Sequence, residues 1–145
     1  MQKGEIVKHP ERDLWKRIEK IFPGVTDRIE NLATVGVPDV TGTCDRGDYW
    51  VESKVLTKSA VEVPFEAVGF IRGDVLRPSQ YSWAFRRTHS GHSTIFIAAE
   101  YEGLTTIYKI LLMSTGNIIV QIVSQFRQLT VVVTCKVKEQ IRQAV

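Results

Sequence analysis

The stretch GVPDVTGTCDRGDYWVESKVL, residues 36–56, decides the fold. Its β-branched and aromatic residues predict two strands, at 37–43 and 49–56, around the turn Cys44-Asp45-Arg46-Gly47. Side chains alternate along a strand, so Glu52 and Lys54 share one face while Ser53 takes the other. A register in which Thr43 faces Asp48 carries Asp39 opposite Glu52, on that same face. Two opposed carboxylates raise each other's pKa and call for a shared proton or a cation between them. Mg²⁺ suits the place, with Mn²⁺ as its substitute. It is a hard ion that takes one or two carboxylates and fills its shell with water and phosphate oxygens. The Ser53 carbonyl would add a ligand, and Lys54 would hold an attacking water and stabilise charge on a phosphate.

The rest of the chain sets limits on this reading. Its 145 residues fit one domain, 1–145, and are 43% hydrophobic and 24% charged, which points away from disorder and from membrane residence. The longest apolar runs, 118–123 and 130–135, are too short to span a bilayer, and the charged start MQKGEIVKHPERD does not read as a signal peptide. Cytoplasmic residence is the expectation. Cys44 and Cys135 lie far apart without a CxxC pairing, which argues against a disulfide framework or a zinc site. The net charge of +3 is compatible with a polyanionic partner. Cations gather after the hairpin: Lys54, Lys58, Arg72, Arg77, Arg86 and Arg87 stand against only Glu62, Glu66 and Asp74.

The remaining elements follow from periodicity. Leu14, Trp15, Ile18, Ile21 and Phe22 make one helical face, started by Pro10 and ended by Pro23-Gly24. Residues 26–36 read as a turn or strand, and 61–71 as a loop or short strand. A helix over 77–91 would show an apolar face of Tyr81, Ala84, Phe85 and Thr88. Strands are expected in STIFIAAEY and TTIYKILL around Glu102-Gly103, a helix over 113–128, a strand over 129–137 and a terminal helix over 138–145. The sum is an α/β protein, a mixed central sheet flanked by helices.

Pro38-Asp39 followed by Glu52-Ser53-Lys54 resembles the signature of the PD-(D/E)XK nuclease superfamily. The segment ERDLW, with Glu11, resembles the first-helix glutamate motif of archaeal-type Holliday junction resolvases and their small phage relatives. RIENLATVGVPDV, with Arg28 and Glu30, resembles the R-x-E segment preceding PD in phage nucleases of this group, and LRPSQYSW presents Gln80 like the helix glutamine of many members, which supports the active site or contacts the substrate. The resemblance covers about residues 11–90. It implies a restriction-endonuclease-like core and a metal-dependent DNA endonuclease that leaves 5′-phosphate and 3′-hydroxyl ends. The implied substrate is branched DNA, four-way junctions above all, cut by a C2 homodimer with two sites on opposing strands. A flap- or single-strand-acting nuclease of VRR-NUC type and a non-catalytic nucleic-acid-binding domain are the alternatives.

Carried over by residue, the resemblance makes Asp39 and Glu52 metal ligands and Lys54 the catalytic lysine. Glu11 and Glu30 compete as the additional acid, and Arg28, Gln80, Arg86 and Arg87 would contact DNA. Plainer roles exist for several of these. Glu11 suits the macrodipole of a first helical turn, and Arg86 and Arg87 suit a solvated helix face. Trp83 reads as core rather than as a base-stacking platform, and His89 and His92 as loop residues rather than a ligand pair.

Overall fold

Pro10 opens helix α1 (Pro10–Ile18), where a missing N–H costs nothing, and Leu14, Trp15 and Ile18 bury the expected stripe. A 3₁₀ turn, Glu19–Ile21, carries the stripe on to Ile21 and Phe22 before Gly24, at φ 76°, turns the chain into β1 (Val25–Arg28). The computed structural model describes residues 10–29, 36–56, 76–91 and 93–145. The expected loop or strand at 61–71 lies outside them.

Strands β2 (Val40–Cys44) and β3 (Gly47–Val55) form the hairpin, with Asp45-Arg46 as its tip. The register is the expected one, Thr43 opposite Asp48 and Val40 opposite Val51. The first strand starts later than the expected 37. Pro38 has no N–H for the ladder, and Asp39 pairs only at its edge, its carbonyl accepting from the Ile29 N–H at 2.6 Å. Helix α2 (Pro78–Ser90) then leads to β4 (Thr94–Tyr101), which lies parallel to β3. β5 (Leu104–Leu112), β6 (Ile118–Phe126) and helix α3 (Val131–Ala144) complete the described chain. The six strands lie in sequence order, every pair antiparallel except β3 and β4, so the protein is α/β with a mixed sheet.

Two expected elements exchange type. Residues 113–128 were expected to be helical, yet β6 occupies most of them. Its run Ile-Ile-Val-Gln-Ile-Val fits either periodicity, and the tight turn at Gly116 (φ 90°) brings it back along β5, where the β-branched side chains pack. Residues 129–137 were expected to be a strand, yet α3 begins at Val131. Thr130 caps it, its Oγ1 accepting from the Val133 N–H at 3.2 Å. Val137 and Ile141, four residues apart, bury against the sheet side, and that spacing outweighs the strand preference of three consecutive valines.

The sheet carries a core on each face. Trp83 and Ala84 of α2 pack with Ile95, Ile97, Tyr108 and Ile110 on one side. Leu14, Ile18 and Phe22 pack with Tyr49, Val51, Phe96 and Ile141 on the other. The inward face of α2 is therefore built on Gln80, Trp83 and Ala84, with the expected Tyr81 and Phe85 only half-buried at its border. Trp83 is core, as read from the sequence.

Candidate functional site

Alternation on β3 fixes the site. Tyr49 and Val51 point into the core under α1, so Glu52 and Lys54 point to the α2 side. Gly36, at φ 92°, lets the chain before Asp39 pass against the start of α2. A Cβ there would stand 2.3 Å from the Ser79 carbonyl oxygen. Asp39, Glu52, Lys54 and Gln80 thereby meet at one place between the hairpin and the helix.

Glu52 is only 4% exposed, and both its oxygens are engaged. Oε1 accepts from Gln80 Nε2 at 2.6 Å and lies 3.4 Å from Lys54 Nζ, while Oε2 accepts from the Asp39 backbone N–H at 3.3 Å. Gln80 is oriented without ambiguity. Its Oε1 accepts from the Arg77 N–H at 2.9 Å, which leaves the amide group to donate to Glu52. Burial, then the charge of Asp39, pushes the Glu52 carboxyl up to about 7 against the pull of Lys54. Asp39 is itself raised, chiefly by burial. Arg28, Lys54 and Arg77 pull it down, and Glu11 pushes it up.

The other expected residues divide. Glu11 lies on α1 and acts on Asp39 through its charge, but no group of three or more acids or other metal-binding side chains forms among the described residues. Glu30 lies outside them. Ser53 turns its hydroxyl to the opposite face, where Oγ is buried with no hydrogen-bond partner among the described residues. Arg28 is exposed on β1 and contributes its charge near Asp39. Gln80 was expected to support the active site or to contact DNA. At 5% exposure and bonded to Glu52, it takes the first of these places, against the carboxylate. Arg86 and Arg87 are exposed on the outer side of α2, Arg87 lying 5.0 Å over the Trp83 ring. His89 sits in the last turn of α2 rather than in a loop, with Nε2 2.9 Å from the Gly116 carbonyl oxygen, and His92 lies outside the described residues. Sequence reasoning counted Arg77 only within the basic stretch after the hairpin and passed over Gly36. Gly36 stands two residues before Pro38-Asp39 and could have been suspected of a close backbone approach, whereas nothing local ties Arg77 to Asp39.

The residues present fit a hard divalent cation. Two carboxyl groups lie together, and burial and the Asp39 charge hold Glu52 back from ionising even with Lys54 beside it. Asp39 and Glu52 would hold Mg²⁺. No family model, curated protein or solved structure matches the chain. Among the described residues, no helix is long and apolar enough to cross a membrane.

Proposed function

We propose that this protein is a Mg²⁺-dependent DNA endonuclease with a restriction-endonuclease-like core, of the PD-(D/E)XK type, acting on branched DNA such as four-way junctions. One observation carries the reading: Glu52 is held by Gln80 and Lys54 while Asp39, at the neighbouring strand end, raises its pKa. An ordinary structural ion pair would not need a second carboxylate beside a buried one. The mixed sheet, with the acid-bearing hairpin at β2–β3 and the glutamine helix as the next described element, supports the same core.

Asp39 and Glu52 place negative oxygens on one side of the scissile phosphate. When bound, Mg²⁺ supplies electrostatic stabilisation of the charge that develops on the phosphate oxygens. Lys54, anchored by Glu52 and largely shielded from solvent, presents its ammonium to the attacking water and to a phosphate oxygen. Gln80 keeps Glu52 in place, and Arg28 and Arg77 add positive potential toward the DNA backbone. In-line attack by water leaves 5′-phosphate and 3′-hydroxyl ends. A C2 homodimer would cut two opposing strands. Val131 and Val132, 82% and 77% exposed, belong to the C-terminal apolar run available for its interface.

The test is incubation with a synthetic four-way junction and with plasmid, in Mg²⁺ and in EDTA. Mg²⁺-dependent cleavage of the junction, lost in Asp39→Asn, is the expected result. Junction binding in EDTA that never proceeds to cleavage in Mg²⁺ would leave a non-catalytic binding domain instead.

A further inference from the structure

Helix α2 has a second side, at the border of its buried face, that the proposed chemistry does not use. Tyr81 and Phe85, one turn apart, stack at 6.1 Å with their planes 25° from parallel. Phe85 is backed by the His89 ring at 4.1 Å, and His89 is fixed by its contact with the Gly116 carbonyl oxygen. Beside the rings, Tyr81, Ser82, Phe85 and Arg86 line an open groove of about 460 Å³. Its charge is one-sided. Residues 77–91 contain Arg77, Arg86 and Arg87 and no acid at all. The groove shares its helix with the site, Tyr81 following the Gln80 that holds Glu52.

We propose that this groove binds unpaired nucleotides of the DNA substrate, the rings of Tyr81 and Phe85 taking a base and Arg86 the adjoining phosphate. The inference rests on the endonuclease reading for its substrate and narrows that substrate to DNA that carries single-stranded nucleotides. The chemistry of the lining supports this occupant. Aromatic faces stack on any base, a neighbouring guanidinium meets the backbone, and the two together make a sequence-tolerant single-strand site. Paired bases keep their faces covered by their neighbours and offer the rings nothing to stack on.

The test is run in EDTA, so that binding is read without cleavage. Fluorescence anisotropy compares a labelled oligo(dT) with an abasic strand of the same length and charge. The wild-type protein should bind oligo(dT) roughly tenfold more tightly. Phe85→Leu should remove most of that difference, and Arg86→Gln should weaken both strands by the same factor. A 5-iododeoxyuridine oligonucleotide, photo-crosslinked to the wild-type chain, should attach at Tyr81 or Phe85, and this arm decides the matter if Phe85→Leu does not fold. Equal affinity for the two strands, or crosslinking confined to another segment, overturns the proposal. Junction cleavage in Mg²⁺ is followed in parallel. Base-dependent binding at the groove without any cleavage supports the groove and sinks the endonuclease reading, and cleavage without base dependence does the reverse.

Discussion

Gln80 donates from Nε2 to Glu52 Oε1 at 2.6 Å, tying the first turn of α2 to the carboxylate in the middle of β3. The bond is buried at both ends, and the same amide accepts from the Arg77 N–H at 2.9 Å, so one side chain caps a helix and orients an acid. Gln80→Ala would strand both the Arg77 N–H and part of the Glu52 carboxylate. Leaving buried polar groups unmatched costs about 1–3 kcal/mol. Urea denaturation should show a loss in that range for Gln80→Ala. A loss within the noise of a surface substitution would mean that the bond does not persist in solution.

Glu52 makes stability depend on pH in a direction opposite to that of most carboxylates. Its pKa is about 7 in the folded protein against 4.5 for the ordinary group, so between these values the folded chain holds a proton that the unfolded chain has lost. Its contribution is therefore complete below pH 4.5 and disappears as pH rises toward 7, by an amount on the order of 3 kcal/mol. Denaturation in EDTA across pH 5 to 8 should show this decline, and Glu52→Gln should flatten it. Added Mn²⁺, which favours the ionised carboxylate, should raise stability most at the upper end. Parallel pH profiles for wild type and Glu52→Gln would show that Glu52 titrates normally.

The hairpin was legible because its physics is local. Strand alternation and a short turn fix which side chains share a face, so the common side of Glu52 and Lys54 and the approach of Asp39 to Glu52 could be read from residues 36–56 alone. The two C-terminal elements were not, because Ile118–Val123 satisfies helix and strand periodicity alike and only pairing with β5 chooses between them. The sequence did hold a sign for α3, the capping Thr130 ahead of Val133, Val137 and Ile141, but three valines in a row obscured it. The role of Gln80 lay between these cases. Its place on a helix could be read from sequence, while its burial against Glu52 depends on α2 docking over β3 and is set by no local pattern.

Thr130→Ala tests the helix that displaced an expected strand. The substitution removes an acceptor from the Val133 N–H and should cost about 1 kcal/mol, with Thr130→Ser close to neutral. A Val132→Pro change separates the two structures further. Proline is accepted in the first turn of a helix, so this variant should fold, whereas a strand spanning 129–137 would lose a ladder bond. Thermal unfolding followed by circular dichroism distinguishes the outcomes.

Asp39→Asn and Lys54→Ala separate the chemistry from the scaffold. Asp39 is half-buried and raised by burial, so the neutral amide is tolerated, and it removes the charge that pushes Glu52 up. Asp39→Asn should therefore fold at least as stably as wild type at pH 7, lose Mn²⁺ binding in calorimetry and lose junction cleavage. Lys54→Ala removes the cation 3.4 Å from Glu52 Oε1, so it should raise the Glu52 pKa further and abolish cleavage. Both variants should keep most of their junction affinity in EDTA, because phosphate contacts at exposed arginines supply it. Retained cleavage in either variant would remove that residue from the mechanism. Equal loss of folding and binding in both would make the pair part of the scaffold.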